Sequence, residues 1–228
     1  MTPEKRPRRV AVIGGGPAGL MAAEVIAGAG LPVTVFDRMP SLGRKFLMAG
    51  RGGLNLTHSE PMERFVARYG AAADWMASLI ENFSARALID WCEALGQPTF
   101  VGSSGRVFPT AMKASPLLRA WLRRLSGLGV TFRTRAQWSG WNAAGDLVFA
   151  DGSTFSADAV VLTLGWRVMA AAGIGRRLDR VSRRHRGHAA PRRQLRLRGC
   201  LVRYLSHAPC GCAAETHRAL VCRTPCAR

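Results

Sequence analysis

A glycine-rich segment between two short apolar stretches constrains the fold of this chain more than any other feature. Val10–Ile13 is apolar and mostly β-branched, which is typical of a buried strand in a parallel sheet. The residues GGGPAG separate it from LMAAEVIAGAG, a stretch of good helix formers that ends at glycines. A second apolar run, PVTVF at 32–36, stops at Asp37. The sequence therefore predicts a strand, a helix and a parallel strand in succession.

The glycine spacing matches the fingerprint of a Rossmann dinucleotide-binding unit. Gly14 is expected to make the tight turn, Gly16 to let the backbone approach a pyrophosphate, and Gly19 to let helix and strand pack closely. Pro17 and Ala18 begin the helix, whose free N–H groups and positive dipole end favour an anion. A glycine-rich turn without a nucleotide is the alternative. It is disfavoured because the strand and helix patterns stand in register with the glycines.

An acidic residue at the end of the second strand narrows the choice of nucleotide. Asp37 lies 23 residues after Gly14 and is placed to accept hydrogen bonds from a ribose diol. A carboxylate there disfavours a 2′-phosphate, so the sequence predicts FAD or NAD rather than NADP. Arg38 follows directly and is included among the candidate cofactor-binding residues.

The segment 41–59, SLGRKFLMAGRGGLNLTHS, has four glycines, three cations and no acidic residue. Backbone donors freed by glycine and flanked by cations suit a loop that follows a phosphate-bearing ligand. Asn55 and Thr57 are candidates for hydrogen bonds to a ribityl chain or to the edge of a flavin. A solvated basic loop has the same composition, and the spacing alone does not decide between the two.

Four segments together resemble the HI0933-like (BaiN-type) family of NAD(P)/FAD-dependent oxidoreductases. They are GGGPAGLMAAE, VTVFDRMPSLGRKFLMAGRGGLNLTHSEP, ALGQPTFVGSSGRVFPTAMKASPLLRAWLRRL and ADAVVLTLG, and the resemblance spans nearly all of residues 8–165. It implies an α/β fold with a parallel FAD-binding sheet, and an isoalloxazine ring reached by the GRKFLMAGRGGLN loop. The residues that it implies along FAD are Gly14, Gly16, Pro17, Ala18, Gly19, Asp37, Arg44, Lys45, Gly50, Gly53, Asn55 and Thr57.

The resemblance also implies the chemistry of the site. It implies NAD(P)H as the electron donor, a small-molecule substrate of unknown identity, and no metal. VTFRTR at 130–135 is predicted to be the third strand of the sheet, and in such folds the backbone just beyond it, near Ala136, meets the adenine.

No catalytic acid, base or nucleophile is assigned from the sequence. His58 could serve as an acid or base near a flavin, but we expect a loop residue that makes one local hydrogen bond. Cys92 has no basic neighbour in the sequence, so we expect a buried small hydrophobe rather than a nucleophile. Ser84 is predicted to cap the helix that contains Cys92, and Ser115 to cap the following helix with Pro116 at its first position.

Charge is distributed unevenly along the 228 residues. The net charge is +19, of which residues 1–165 carry +6 and residues 166–228 carry +13, with 15 arginines, no lysine and only two acidic residues in that tail. Such a basic balance suggests nucleic acid or an anionic membrane as a partner. No stretch approaches the roughly 20 apolar residues of a membrane span, so we expect a cytoplasmic protein without membrane association.

The family resemblance is expected to stop at Gly165. Relatives continue as GASWPRLGSDGAW, whereas this chain continues as WRVMAAAGIGRRLD. Met169-Ala170 is encoded ATG-GCN, which begins TGG, tryptophan, when read one base later. The whole stretch from Trp166 to Asp179 permits the family motif in that frame. We therefore expect a frame slip at the Gly165/Trp166 junction, with residues 1–165 forming an incomplete Rossmann-like domain and 166–228 a disordered, out-of-frame tail.

Two functional interpretations of the tail compete with the frame slip. An arginine-rich arm could bind nucleic acid by neutralising phosphates, but the tail offers only Tyr204 after Trp166 as an aromatic for stacking, so nucleic acid is not the expected partner. A zinc site would use the tail's cysteines and histidines, of which only the Cys222/Cys226 spacing fits. On the frame-slip interpretation, the chain is an impaired oxidoreductase fragment. The alternative is a non-catalytic nucleotide-binding module with a basic arm.

Overall fold

The structure is a computed structural model that describes residues 8–50, 52–165, 194–197, 200–204 and 218–222. The helices are α1 Pro17–Gly28, α2 Arg44–Ala49, α3 Met62–Ala67, α4 Ala73–Asn82, α5 Ala85–Ala94 and α6 Ala114–Gly127, with a 3-10 turn at Gly70–Ala72. The strands are β1 Val10–Ile13, β2 Val33–Phe36, β3 Thr57–His58, β4 Thr99–Val101, β5 Arg106–Pro109, β6 Thr131–Arg133, β7 Trp138–Trp141, β8 Leu147–Phe149, β9 Thr154–Phe155, β10 Ala159–Leu162, β11 Gln194–Leu197, β12 Cys200–Tyr204 and β13 Arg218–Cys222.

The main sheet has the order β11-β12-β13-β10-β1-β2-β6 over the described strands. β1 lies between β10 and β2 and pairs with both in parallel, and β6 pairs in parallel with β2. All four residues of β1 are buried, as expected for a strand covered on both faces. The chain therefore has the predicted α/β fold, and the carboxyl ends of β1, β2, β6 and β10 meet at one edge of the sheet.

The two faces of this sheet are covered by different layers. On one face, Val12, Val35 and Val161 belong to a core that includes residues of α1 and α6. On the other face, Phe36 stacks on Phe149 with ring centroids 4.7 Å apart. Phe149 belongs to the antiparallel meander β7-β8-β9, which the turn residues of the sequence predict. The result is a layer of helices, a parallel sheet and an antiparallel meander.

The segment between β2 and α6 contains a second small sheet, of order β3-β5-β4, together with α3, α4 and α5. Ser84 caps α5 as predicted, because its Oγ accepts a hydrogen bond from the N–H of Ala87 over 3.1 Å. The predicted cap of α6 is wrong. Lys113 is the N-cap and the helix begins at Ala114, so Ser115 lies in its first turn, where Pro116 is tolerated because it removes no helical hydrogen bond.

Three tail segments, β11, β12 and β13, are strands in the structure, and β13 pairs in parallel with β10. The other tail residues, for which disorder is predicted, lie outside the described residues, as do most of the cysteines and histidines considered for zinc. The boundary at Gly165 stays a prediction. No helix in the described part of the chain has both the length and the apolar character needed to cross a bilayer.

Candidate functional site

The turn after β1 depends on the absence of side chains at two glycines. Gly14 has a φ of +113°, and a Cβ there would stand 2.6 Å from the carbonyl oxygen of Thr163. A Cβ on Gly19 would overlap the carbonyl oxygen of Gly14. Both neighbours are backbone atoms that cannot move aside without shifting β10 or the turn itself. The packing roles predicted for these two glycines are therefore confirmed.

Gly16 differs because no atom lies within 4 Å of the position that its Cβ would take. The residue is the N-cap of α1, and no side chain caps the helix. Pro17 occupies the first turn, and no acidic residue stands there. The first N–H groups of this 12-residue helix therefore face an open space with the positive end of the helix dipole behind them. Such an arrangement suits a phosphate that approaches the backbone.

Asp37 holds the glycine-rich turn from the end of β2. Its Oδ2 accepts the N–H of Gly15 over 2.6 Å, and its Oδ1 accepts the N–H of Met39 over 2.7 Å. Each carboxylate oxygen can accept a further hydrogen bond, so the predicted bond to a ribose is compatible with this geometry. The sequence did not indicate that the same carboxylate also fixes the turn.

A hydroxyl at the end of β10 completes the turn and was missed from the sequence. The hydroxyl of Thr163 donates its single proton toward two carbonyl oxygens, that of Gly14 at 2.8 Å and that of Ile13 at 3.0 Å. Its N–H also donates to the Ile13 carbonyl over 2.8 Å. A polar residue directly after a buried apolar strand was the available signal. Because 149 residues separate Thr163 from Gly14, the partner could not be read from the sequence.

The backbone beyond β6 is tied to the backbone beyond β2. The N–H of Asp37 donates to the carbonyl of Arg133, and the N–H of Ala136 donates to the carbonyl of Asp37, each over 2.9 Å. Arg135, with a φ of +57°, donates its N–H to the carbonyl of Met39 over 3.1 Å. Ala136 thus lies beside Asp37, and its N–H is engaged by the Asp37 carbonyl. Arg38, which directly follows Asp37 in the chain, is exposed.

The two predicted cations Arg44 and Lys45 begin α2 beside the same turn. Gly43, with a φ of +64°, donates its N–H to the carbonyl of Gly15 over 2.8 Å, which fixes the start of α2 to the glycine-rich turn. Both cations are exposed. Lys45 Nζ stands 3.4 Å from the position that a Cβ would take on Gly165, just past the end of β10. Its ammonium group therefore lies at the strand-end edge of the sheet.

The remaining predicted residues follow α2 away from the turn. Gly50 is buried against Ala114 at the start of α6, and a Cβ on Gly53 would stand 2.9 Å from the Cε of Met112. Asn55 is exposed, whereas Thr57 is buried in β3 and pairs with β5. The structure thus holds Asn55 and Thr57 with the small sheet and Gly50 and Gly53 near the start of α6, while the other predicted residues gather at the carboxyl ends of the main strands.

His58 has a structural role in the small sheet. Its Nε2 lies 3.0 Å from the carbonyl oxygen of Ser104, and its Nδ1 accepts the N–H of Glu60 over 3.2 Å. These partners assign the neutral tautomer with the proton on Nε2. A Cβ on Gly105 would stand 2.6 Å from the ring, so this loop packs directly on the imidazole. His58 makes the one expected local hydrogen bond, with Glu60, and a second to Ser104, 46 residues away.

Cys92 is fully buried in α5, as predicted. Burial, with a smaller contribution from the charge of Glu93, raises the pKa of its thiol from 9.0 to about 11. The thiol is therefore protonated at neutral pH and is a poor nucleophile. Within the described residues, no three His, Cys, Asp or Glu side chains are grouped so that they could hold a metal ion.

The glycine-rich turn, the uncapped α1 and the acidic residue at the end of β2 define a dinucleotide-binding Rossmann domain. The comparison with protein families agrees, since the HI0933-like protein Rossmann domain matches residues 8–189. The chain belongs to this family. The matched range extends past Gly165, where the sequence resemblance was expected to stop.

Individual relatives match shorter parts of the chain. UacF of Escherichia coli (strain K12) is 58% identical over 38 residues, which is 17% of this chain and 6% of that protein. The ribosomal RNA dihydrouridine synthase of Haemophilus influenzae (strain Rd) is 49% identical over 49 residues, 22% of this chain and 12% of that protein. The matches thus cover only a small share of both relatives.

The fold is also found among solved structures. The open conformation of a flavocytochrome c3 fumarate reductase aligns with 69% of this chain and 33% of its own, with a TM-score of 0.53 and 21% sequence identity. This similarity concerns the fold alone.

Proposed function

We propose that this chain is the FAD-binding part of a flavoprotein oxidoreductase that takes electrons from NAD(P)H. The observation that carries the proposal is the open space beside Gly16, in front of the uncapped N-terminus of α1. A pyrophosphate fits that space because backbone donors, a helix dipole and nearby cations converge on it, and no side chain fills it.

Different residues at the strand ends would bind different parts of FAD. Ala18 and Gly19 offer their N–H groups to the pyrophosphate, and Arg44 and Lys45 offset its charge. Asp37, already oriented by two backbone N–H groups, accepts from the ribose of the adenosine. The backbone at Ala136 borders the adenine, with its carbonyl rather than its engaged N–H facing the ligand. The segment from Gly50 to Thr57 lines the side toward the flavin.

When bound, FAD supplies two-electron chemistry between a hydride donor and a substrate. The chain's own part is to bind the cofactor, orient it and neutralise its phosphates. Neither described candidate for proton transfer is suited to that role, because both ring nitrogens of His58 are engaged and the thiol of Cys92 is buried and protonated.

One relative indicates which substrate to test first. The Haemophilus influenzae protein is a ribosomal RNA dihydrouridine synthase. We propose that the complete flavoprotein reduces a uracil, a reaction that consumes two electrons and two protons. To test this, the complete protein is incubated with FAD, NAD(P)H and uridine-containing RNA. Dihydrouridine in the RNA is then measured by mass spectrometry. If the RNA is unchanged while NAD(P)H still bleaches the flavin, a uracil is not the substrate. The proposal that the protein is an oxidoreductase would still stand.

We further propose that this chain by itself holds FAD weakly and does not turn over, because the frame slip at Gly165 replaces family sequence with the tail. The purified chain is expected to be colourless yet to bind added FAD in a titration. If the purified chain instead shows the absorbance band of one flavin per chain, and NADH or NADPH bleaches that band, the proposal that the chain is impaired is wrong. Sequencing the locus tests the cause: deletion of one base near codon 166 should open a long family-like reading frame.

The second candidate is a non-catalytic nucleotide-binding module whose basic tail binds nucleic acid. The net charge of +13 in residues 166–228 favours it. It predicts RNA binding whose affinity falls steeply with salt and is lost when the chain is cut at residue 165. Flavin binding with equal RNA affinity in both versions would reject it.

A further inference from the structure

Glu24 on α1 carries a nearly enclosed carboxylate that the proposed function does not use. Its side chain is 14% exposed. Trp121 Nε1 donates to Oε2 over 2.6 Å and Trp91 Nε1 to the same oxygen over 3.1 Å, while Arg124 Nη1 donates to Oε1 over 3.1 Å. A carboxylate in such surroundings needs its donors, because burying an unpaired charge is costly. Glu24 therefore fixes α1 to the helices that supply those donors.

The donors belong to α5 and α6. Trp91 is on α5, while Trp121 and Arg124 are on α6. Arg124 Nη2 also donates to the carbonyl of Ala94 at the end of α5, over 2.7 Å. The cluster thus joins three helices around one negative charge, and α6 is attached to α1 by two of its side chains.

Contacts continue from this cluster to α2. The rings of Trp121 and Phe46 meet edge to face, with centroids 6.4 Å apart and planes at 70°. Phe46 directly follows the cations Arg44 and Lys45 on α2. No residue of this six-residue helix is fully buried, so its position depends on the contact of Phe46 and on the glycines at its ends.

Those glycines also rest on α6. A Cβ on Gly43 would press into the side chain of Leu118, and one on Gly50 would stand 2.6 Å from the Cβ of Ala114. Both neighbours belong to α6. α2 therefore rests on α6 as well as on the Gly15 carbonyl, and the hydrogen bonds of Glu24 hold α6 on α1.

We infer that Glu24 is a positioning residue for the phosphate end of the nucleotide site. Through Trp121 and Phe46 it sets α2 relative to α1, and so places Arg44 and Lys45 beside the open N-terminus of α1. The inference rests on the proposed function in one respect, namely that the ligand brings a pyrophosphate to that helix end. It assigns the buried carboxylate a role in anion recognition that a purely structural cluster would not have.

The test compares ADP, which carries a diphosphate, with adenosine, which carries none. In Glu24→Gln the side chain keeps its shape but loses its charge, and its NH₂ group faces other donors. ADP binding is expected to weaken about tenfold, the loss typical of a charge-assisted contact, while adenosine binding stays within about twofold. Asp90→Asn is the matched control, because it breaks an exposed ion pair with Arg86 on α5 by the same chemical change. ADP and adenosine should bind this control as they bind the wild type.

A second variant tests whether Glu24 acts through Trp121 and Phe46 rather than through the general stability of the fold. Phe46→Ala removes the ring contact between Trp121 and α2 but leaves the hydrogen bonds of Glu24 intact. It should weaken ADP binding as Glu24→Gln does, while the indole N–H resonances of Trp91 and Trp121 stay in place. The double variant, Glu24→Gln with Phe46→Ala, should bind ADP no more weakly than either single variant. Both changes interrupt the same series of contacts from Glu24 to α2, so their effects should not add. Trp121→Phe keeps an aromatic ring beside Phe46 and removes one hydrogen-bond donor to Glu24, so we expect an intermediate loss of ADP affinity. This variant can be measured even if Glu24→Gln fails to fold.

Three results would overturn the inference. The first is unchanged ADP affinity in Glu24→Gln with shifted indole resonances, and the second is an equal loss for adenosine. The third is additive losses in the double variant. Failure of the wild type and of Asp90→Asn to bind either ligand would instead reject the proposed nucleotide site, and the inference with it.

Discussion

The carboxylate of Asp37 accepts the backbone N–H of Gly15 over 2.6 Å and so joins the end of β2 to the turn after β1. Its other oxygen accepts the N–H of Met39 over 2.7 Å. One side chain therefore orders two loops, the glycine-rich turn after β1 and the segment after β2.

Asp37→Asn tests this relationship without a ligand. The amide retains one acceptor, and its NH₂ group faces a backbone donor, so one hydrogen bond to a charged group is lost. The free energy of unfolding should fall by about 2 kcal/mol. Urea denaturation measures the change. Wild-type stability in this variant would show that the two N–H groups find other partners.

Gly16→Ala separates binding from folding. No atom of the described residues lies within 4 Å of the new methyl group, and alanine is a poorer N-cap than glycine, so the stability should fall by no more than about 1 kcal/mol. ADP affinity should nevertheless fall, because the methyl group enters the space in front of α1. Gly28→Ala, at the open far end of the same helix, is the matched control and should leave ADP affinity unchanged. Unaltered ADP binding in Gly16→Ala would place the phosphate elsewhere.

Gly19→Ala should have the opposite effect from Gly16→Ala. Its methyl group would overlap the carbonyl oxygen of Gly14, so helix and turn must separate. Overpacking of this kind costs about 1–3 kcal/mol, which a thermal or urea unfolding curve will show. A stability equal to that of the wild type would contradict the close approach of α1 and the turn.

Thr163→Val removes the hydroxyl that donates to the turn while it keeps the branched shape. The expected loss is about 1 kcal/mol in the free energy of unfolding. Thr163→Ser retains the donor and should recover most of that loss. If serine loses as much stability as valine, keeping the donor does not restore the turn, and the hydrogen bond alone does not account for the role of Thr163.

Cys92 gives a prediction about pH. In the folded chain its thiol has a pKa of about 11, against 9.0 without the fold, so the folded state disfavours the thiolate. As the pH rises from 9 toward 11, the unfolded chain releases this proton first, and its contribution to stability declines. Cys92→Ala should lose less stability over that range. Urea curves of both proteins measure the difference, and parallel declines would contradict the raised pKa.

The reactivity of Cys92 offers an independent check. A thiol reagent should modify it slowly at neutral pH in the folded chain and rapidly in urea, because only unfolding exposes the sulfur and restores its ordinary pKa. Mass mapping identifies the modified residue. Fast modification of Cys92 without denaturant would mean that α5 opens readily.

Local patterns predicted the parts of the structure that local physics decides. The run Val10–Ile13, the glycine spacing and Asp37 predicted the strand, the turn and the following helix, because each pattern reports burial or a backbone constraint at its own position. Ser84 was found as a cap for the same reason, since its partner is three residues away. Ser115 was wrong, because the packing of Ala114 against Gly50 favours an earlier start of α6.

Side chains whose partners are distant could not be predicted. Glu24 stands as a single charge in an apolar stretch of the sequence, and its donors are 67 to 100 residues away. Thr163 resembled an ordinary residue at the end of a strand. In both cases the chemistry was visible in the sequence, but the neighbour that gives it a role is set by the order of strands and helices.

The contact between Thr163 and Gly14 also bears on how the protein is made. A ribosome synthesises the glycine-rich turn 149 residues before the hydroxyl that secures it. Until β10 is made, β1 has its neighbour β2 on one side and an open edge on the other. The turn of the nascent chain therefore lacks this hydrogen bond while the intervening helices and both antiparallel sheets are synthesised.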